Sequence, residues 1–161
     1  MNNGNGTHSE VATGGVSTYS PALKLFIVLS RAWTAVERHA AAHAAAHGLT
    51  LAEFAILEAL HHKGPLLLGE LQRKVLTSSG DITSLVDRLT EKGLVERQDC
   101  PDDRRARFAA LTPAGAALID RIFPEHAVAL ERAMDGLDQE TQESMIPLLR
   151  ELGKYAAELK P

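Results

Sequence analysis

The chain has 161 residues, of which 45% are hydrophobic and 24% charged, the size and balance of one globular domain with a real core. Its net charge of −4 argues against indiscriminate nucleic-acid binding, and no apolar run approaches the ~20 residues that a membrane span needs. A single cysteine, Cys100, excludes an internal disulfide and fits a reducing cytoplasm.

Residues 1–19 are rich in Gly, Asn, Ser and Thr and read as a flexible tail. The opening MNNGNGTHSE has neither the charged nor the apolar part of a signal peptide. A long helix is expected from Ser20, a capping residue, and Pro21, which suits a first turn, to Ala46, with Gly48 as its stop. Thr50 and Glu53 have the spacing of a capping box, so a second helix follows and ends at Gly64-Pro65. A third helix spans Leu68 to about Leu76, with Leu68, Leu71 and Val75 on one face.

The fourth helix, DITSLVDRLTEK, lies between Thr77-Ser78-Ser79-Gly80 and Gly93. Ile82, Leu85, Val86 and Leu89 form a buried stripe at helical spacing. At ~100° per residue, Thr83, Ser84 and Asp87 fall on the opposite face and Arg88 on its flank. That face is small and polar, fit to approach another surface closely. Two short helices joined by a tight turn make a helix-turn-helix unit. LVERQ and RARFAAL then read as two strands around the turn DCPDD. Thr112-Pro113 starts another helix, with a kink or division expected at Pro124. The last helix starts near Asp138, and a bend or break is expected at its internal Pro147. Its Leu148, Leu149, Leu152, Tyr155 and Leu159 lie at helical spacing. Long flanking helices bury little in a lone small chain, so they are expected to pack against a second copy.

Charge is uneven along the chain. Gln72–Arg107 carries 8 Lys and Arg against 7 Asp and Glu, whereas the stretch from Pro113 onward carries 5 against 9. His39, His43 and His47 recur every four residues; two at this spacing could share an ion, but His39 and His47 stand ~12 Å apart along a helix axis. Among alanines they read as an ordinary polar stripe, and neither a metal nor a cofactor is expected. Cys100 reads as a passive thiol, with a redox sensor as the alternative. No nucleophile elbow, P-loop, HExxH or multi-cysteine cluster is present, so the chain is not expected to be an enzyme.

The stretch LLGELQRKVLTSSGDITSLVDRLTEKGLVERQDCPDDRRARFAALTPAG closely resembles the MarR family of winged-helix regulators. Its strongest motif is DRRARFAALTPAG, and the likeness extends over about residues 20–159. ALKLFIVLSRAW, ERQDCPDDRR and RIFPEH are similar to the subset that answers quinones and phenolic compounds. The resemblance implies a mainly α fold with a small β wing. Residues 50–112 would form the winged helix-turn-helix lobe, and residues 20–47 and 113–161 the dimerisation helices, within one domain from residue 20 to 161.

It further implies that the fourth helix enters the DNA major groove and the hairpin a neighbouring minor groove. Arg105 is then the wing-tip arginine and Asp103 the carboxylate that orients it, since entry into a narrow groove needs direction as well as charge. Arg97, Arg104 and Arg107 would meet phosphates. Thr77, Ser78 and Ser79 would bind phosphate at the helix start, while Thr83, Ser84 and Arg88 would read bases. Asp87 and Glu91 depart from an ideal DNA reader because they repel phosphate.

Trp33 has two readings, a core residue or a wall of an effector pocket with Phe54, Leu57 and His61. The expected function is that of a cytoplasmic, homodimeric regulator of transcription. As a repressor, it would bind a pseudo-palindromic double-stranded operator and be released by a small aromatic effector. The rival is a winged-helix protein–protein adaptor that binds no DNA, which the net charge and the acidic residues of the fourth helix would fit.

Overall fold

The computed structural model describes residues 20–75, 82–99 and 107–159. Six helices and three strands follow one another as α1 (Pro21–Ala46), α2 (Leu51–Lys63), β1 (Leu66–Leu67), α3 (Leu68–Lys74), α4 (Ile82–Glu91), β2 (Val95–Asp99), β3 (Arg107–Leu111), α5 (Pro113–Met134) and α6 (Gln139–Glu158) among the described residues. The mainly helical fold with a small β wing is the one expected from the sequence.

Local chemistry sets the helix boundaries. Ser20 Oγ accepts from the Leu23 amide at 3.2 Å ahead of Pro21. The Thr50 hydroxyl accepts from Glu53 N at 3.2 Å, and the Glu53 carboxylate accepts from Thr50 N at 2.8 Å, completing the reciprocal box. Thr112 and Asp138 cap α5 and α6 through the amides of Gly115 and Thr141. Gly48 and Gly93 take positive φ at the ends of α1 and α4, where a side chain would be strained.

Of the kink or division expected at Pro124 and the bend or break expected at Pro147, the division and the break do not occur; α5 and α6 are each continuous through the proline. A proline deletes one donor from the ladder, and both prolines lie on exposed positions of their helices. The sequence reading also missed β1. Its two residues pair with β3 as Leu66↔Ala109 and Leu67↔Phe108, giving an antiparallel sheet of order β1-β3-β2.

Contacts group the chain into two units, residues up to Trp33 and residues from Thr34. The first contains the N-terminal half of α1, where Leu23, Leu25, Phe26, Val28 and Trp33 are exposed. Trp33 is 61% exposed, which overturns its reading as a core residue of the single chain. In the second unit the core joins Phe54, Ile56 and Leu57 of α2 to Leu71, Leu85, Val86, Leu89, Val95, Ile119 and Ile122. On α6 no residue is buried, and its expected apolar stripe is exposed from Leu148 to Leu159. No single helix among the described residues is long and apolar enough to cross a membrane.

Candidate nucleic-acid interface

Helix α4 is oriented by its apolar side. Ile82, Leu85, Val86 and Leu89 are all buried, as their spacing predicts. Thr83 is then half-buried, while Ser84, Asp87 and Arg88 are exposed. A polar face is thus presented outward by a helix that cannot roll without unburying four apolar side chains.

The other end of α4 is held by a residue whose wider role the sequence did not reveal. Glu53 of α2 is 1% exposed. Its Oε1 accepts from Arg88 Nε at 3.3 Å, and its Oε2 accepts from Lys92 Nζ at 2.8 Å. Lys92 Nζ also donates to the Gly48 carbonyl at 2.9 Å. One carboxylate therefore caps α2 and anchors both cations at the end of α4. Burial alone would raise the Glu53 pKa, but the hydrogen bond from Lys92, the Thr50 amide, the Lys92 charge and the Arg88 hydrogen bond together hold it below 4.5. Arg88 is thus half-exposed and tethered through Nε.

Strand β2 contributes a second fixed cation. Arg97 Nη2 lies 2.8 Å from Asp87 Oδ1 and donates to the Thr83 carbonyl at 3.3 Å. The Asp87 charge, expected to repel phosphate, has an arginine directly against it. Arg107 at the start of β3 pairs across the hairpin with Asp99, Nη1 to Oδ1 at 3.0 Å. The register Asp99↔Arg107 puts these two side chains opposite one another. Of the DNA-contacting residues expected from the sequence, Thr83, Ser84 and Arg88 lie on α4 and Arg97 and Arg107 on the wing strands, with Arg97 reaching α4 through Asp87 and the Thr83 carbonyl. Thr77, Ser78, Ser79, Asp103, Arg104 and Arg105 lie outside the described residues, as does Cys100.

Trp33, Phe54, Leu57 and His61 are the residues expected to line an effector pocket. Phe54 and Leu57 are buried in the core, Phe54 with its ring centroid 4.0 Å from that of His126. His61, at the exposed end of α2, has Nδ1 3.5 Å from Asp120 Oδ1. Trp33 belongs to the other unit.

The joint between α4, the wing and α5 is built on the backbone of Gly93 and Leu94. The Leu94 carbonyl accepts from Thr112 N at 3.1 Å, and the Gly93 carbonyl accepts from the Thr112 hydroxyl at 2.7 Å. Gly115, on the first turn of α5, packs directly on Leu94.

Comparison with known proteins places this geometry among its relatives. The MarR family model matches residues 47–106. The HTH-type transcriptional regulator MhqR of Bacillus subtilis (strain 168) is 42% identical over 134 residues, covering 83% of this chain and 92% of its own length. Among solved structures, Sco3205 of Streptomyces coelicolor, a MarR family transcriptional regulator in complex with DNA, superposes with a TM-score of 0.76 at 28% identity, covering 89% of this chain and 91% of its own. AbsC of the same organism, also a MarR family transcriptional regulator, has a TM-score of 0.79 at 19% identity, covering 88% of this chain and 98% of its own, a likeness of fold.

Proposed function

Because the chain belongs to the MarR family of transcriptional regulators, we propose that it acts in the cytoplasm as a homodimer that binds a pseudo-palindromic DNA operator and represses the genes beside it. It is a regulator and not an enzyme. The observation that carries the reading is the clamped α4. Its polar face is held outward by its buried stripe, by Glu53 behind Arg88 and Lys92, and by Arg97 against Asp87.

In this reading Thr83, Ser84 and Arg88 meet base edges, with Thr77, Ser78 and Ser79 on phosphate at the helix start. Arg105, directed by Asp103, enters the minor groove, and Arg97, Arg104 and Arg107 meet the backbone. Two symmetric lobes place half-sites ~10 bp apart. A small aromatic effector of quinone or phenol type, bound near Trp33, Phe54, Leu57 or His61, prefers the arrangement that does not fit the operator and so releases it.

Fluorescence anisotropy with a labelled duplex from upstream of the gene tests this, against a scrambled duplex and across a salt series. The operator duplex is expected to bind preferentially, and binding is expected to fall steeply with salt. Arg105→Ala is expected to weaken it by about tenfold. Adding quinones or phenols to the complex then reads effector release. Equal and negligible binding to operator and to genome-selected fragments would move the reading to a protein–protein adaptor.

The dimer has its own test. Leu148, Leu149, Leu152, Tyr155 and Leu159 make an exposed apolar stripe on α6, which a lone soluble chain rarely displays. Leu152→Asp is expected to convert a dimer to a monomer in light scattering after size exclusion. A variant that stays dimeric would remove α6 from the interface.

A further inference from the structure

His43 and His47 occupy successive turns at the end of α1, so both rings stand on one face. Helix α5 brings Glu125 to that face. Its Oε2 lies 3.8 Å from Nε2 of His43 and 3.8 Å from Nε2 of His47. Neither contact is a hydrogen bond at that length. All three donor atoms nevertheless lie within 4.8 Å of one another. Around a tetrahedral zinc with bonds of about 2.05 Å, ligand atoms stand about 3.3 Å apart. Small adjustments bring the three to that spacing, and the Glu125 side chain, 65% exposed, has room to make them.

A second observation is independent of spacing. His43 Nε2 is a buried ring nitrogen with no hydrogen-bond partner among the described residues. An orphaned buried polar atom costs about 1–3 kcal/mol, and a lone pair kept for a metal ion is one of the few explanations for it. The opposite nitrogen of the same ring is engaged, Nδ1 lying 3.2 Å from Nδ1 of His126. With the proton on His43 Nδ1 and His126 accepting it, His43 Nε2 presents a lone pair toward His47 and Glu125. Outer hydrogen bonds of this kind fix the tautomer and the direction of a ligating imidazole. His126 is in turn held against the Phe54 ring, with centroids 4.0 Å apart.

We infer that His43, His47 and Glu125 form a binding site for a divalent transition-metal ion, zinc by the donor set, with solvent in the fourth position. Two imidazole nitrogens and one carboxylate suit zinc and disfavour magnesium and calcium, which take oxygen ligands. The ion ties the end of α1 to α5 beside Phe54, where the winged-helix lobe begins. His39, the third histidine of the sequence stripe, is exposed and not part of the cluster.

The test uses the full-length chain stripped with a chelator and titrated with zinc in competition with a chromogenic chelator. Cobalt serves as a second probe, because its absorption reports a tetrahedral site. One ion per chain is expected. His47→Ala and Glu125→Gln should each weaken binding at least tenfold and abolish the rise in thermal midpoint that zinc produces in the parent. His39→Ala should bind as the parent does. Metal-free melting curves confirm that the variants fold, and Glu125→Gln is nearly isosteric at an exposed position. Absence of stoichiometric uptake, or uptake that survives unchanged in both ligand variants, overturns the site.

Discussion

Gly115→Ala is expected to destabilise the fold by about 3 kcal/mol, at the upper end of what overpacking costs. Gly115 is not one of the glycines with positive φ, so its requirement is for space and not for backbone freedom. A Cβ there would overlap the Leu94 carbonyl oxygen and lie 2.9 Å from its carbonyl carbon and 3.3 Å from its Cα. All three atoms are backbone, so no side chain can swing aside to make room. Moving Leu94 instead strains its carbonyl's bond from Thr112 N and the neighbouring bond from the Thr112 hydroxyl to Gly93. Those bonds set where α5 starts relative to the wing. Urea unfolding followed by circular dichroism measures the effect, at one protein concentration so that any self-association affects parent and variant alike. Gly136→Ala is the control: a Cβ there meets nothing within 4 Å, and a change of under about 0.5 kcal/mol is expected. Equal midpoints for the two variants would show that the Leu94 contact relaxes at little cost.

Glu53→Ala is expected to cost about 2–3 kcal/mol. It removes the acceptor for the Thr50 amide, a cap worth about 1 kcal/mol, and two charge-assisted hydrogen bonds to α4. The partners Arg88 and Lys92 are partly exposed, so they regain water and the loss stays below that of a fully buried pair. DNA affinity should fall as well, since Arg88 loses the tether that directs it.

The same residue predicts a pH dependence with a definite sign. The folded state holds the Glu53 pKa below its ordinary 4.5, so the fold favours the charged carboxylate. Its contribution is complete above pH 4.5 and is lost as the pH falls through the lower, folded value. Glu53→Gln should therefore be less stable than the parent at neutral pH, and the gap should narrow on acidification through that window. A gap that stays constant from neutral to acid pH would remove the carboxylate charge as the source of the clamp.

Much of this architecture was legible in the sequence because its determinants are local. Ser20-Pro21, Thr50 with Glu53, Thr112-Pro113 and Asp138 mark helix starts through bonds that span three residues. The face of α4 followed from the spacing of Ile82, Leu85, Val86 and Leu89, since 3.6-residue periodicity survives in the folded helix. Strands β2 and β3 were legible for the same kind of reason, as two short runs around a turn.

Tertiary structure decided what depends on partners distant in the chain. Strand β1 is two residues long, too short for any periodic signal, and exists because β3 offers it an edge. Glu53 announced itself as a cap, but its hold on Arg88 and Lys92 spans 35 and 39 residues. Arg97, expected to meet phosphate, lies against Asp87 and the Thr83 carbonyl, a meeting set by how β2 packs on α4. Glu125 joins His43 and His47 only because α5 passes the end of α1, and the histidine spacing alone held no trace of the carboxylate. Local bonds and periodicity are written in neighbouring residues, whereas a buried charge, a tight glycine or a ligand set is defined by the surface that folds against it.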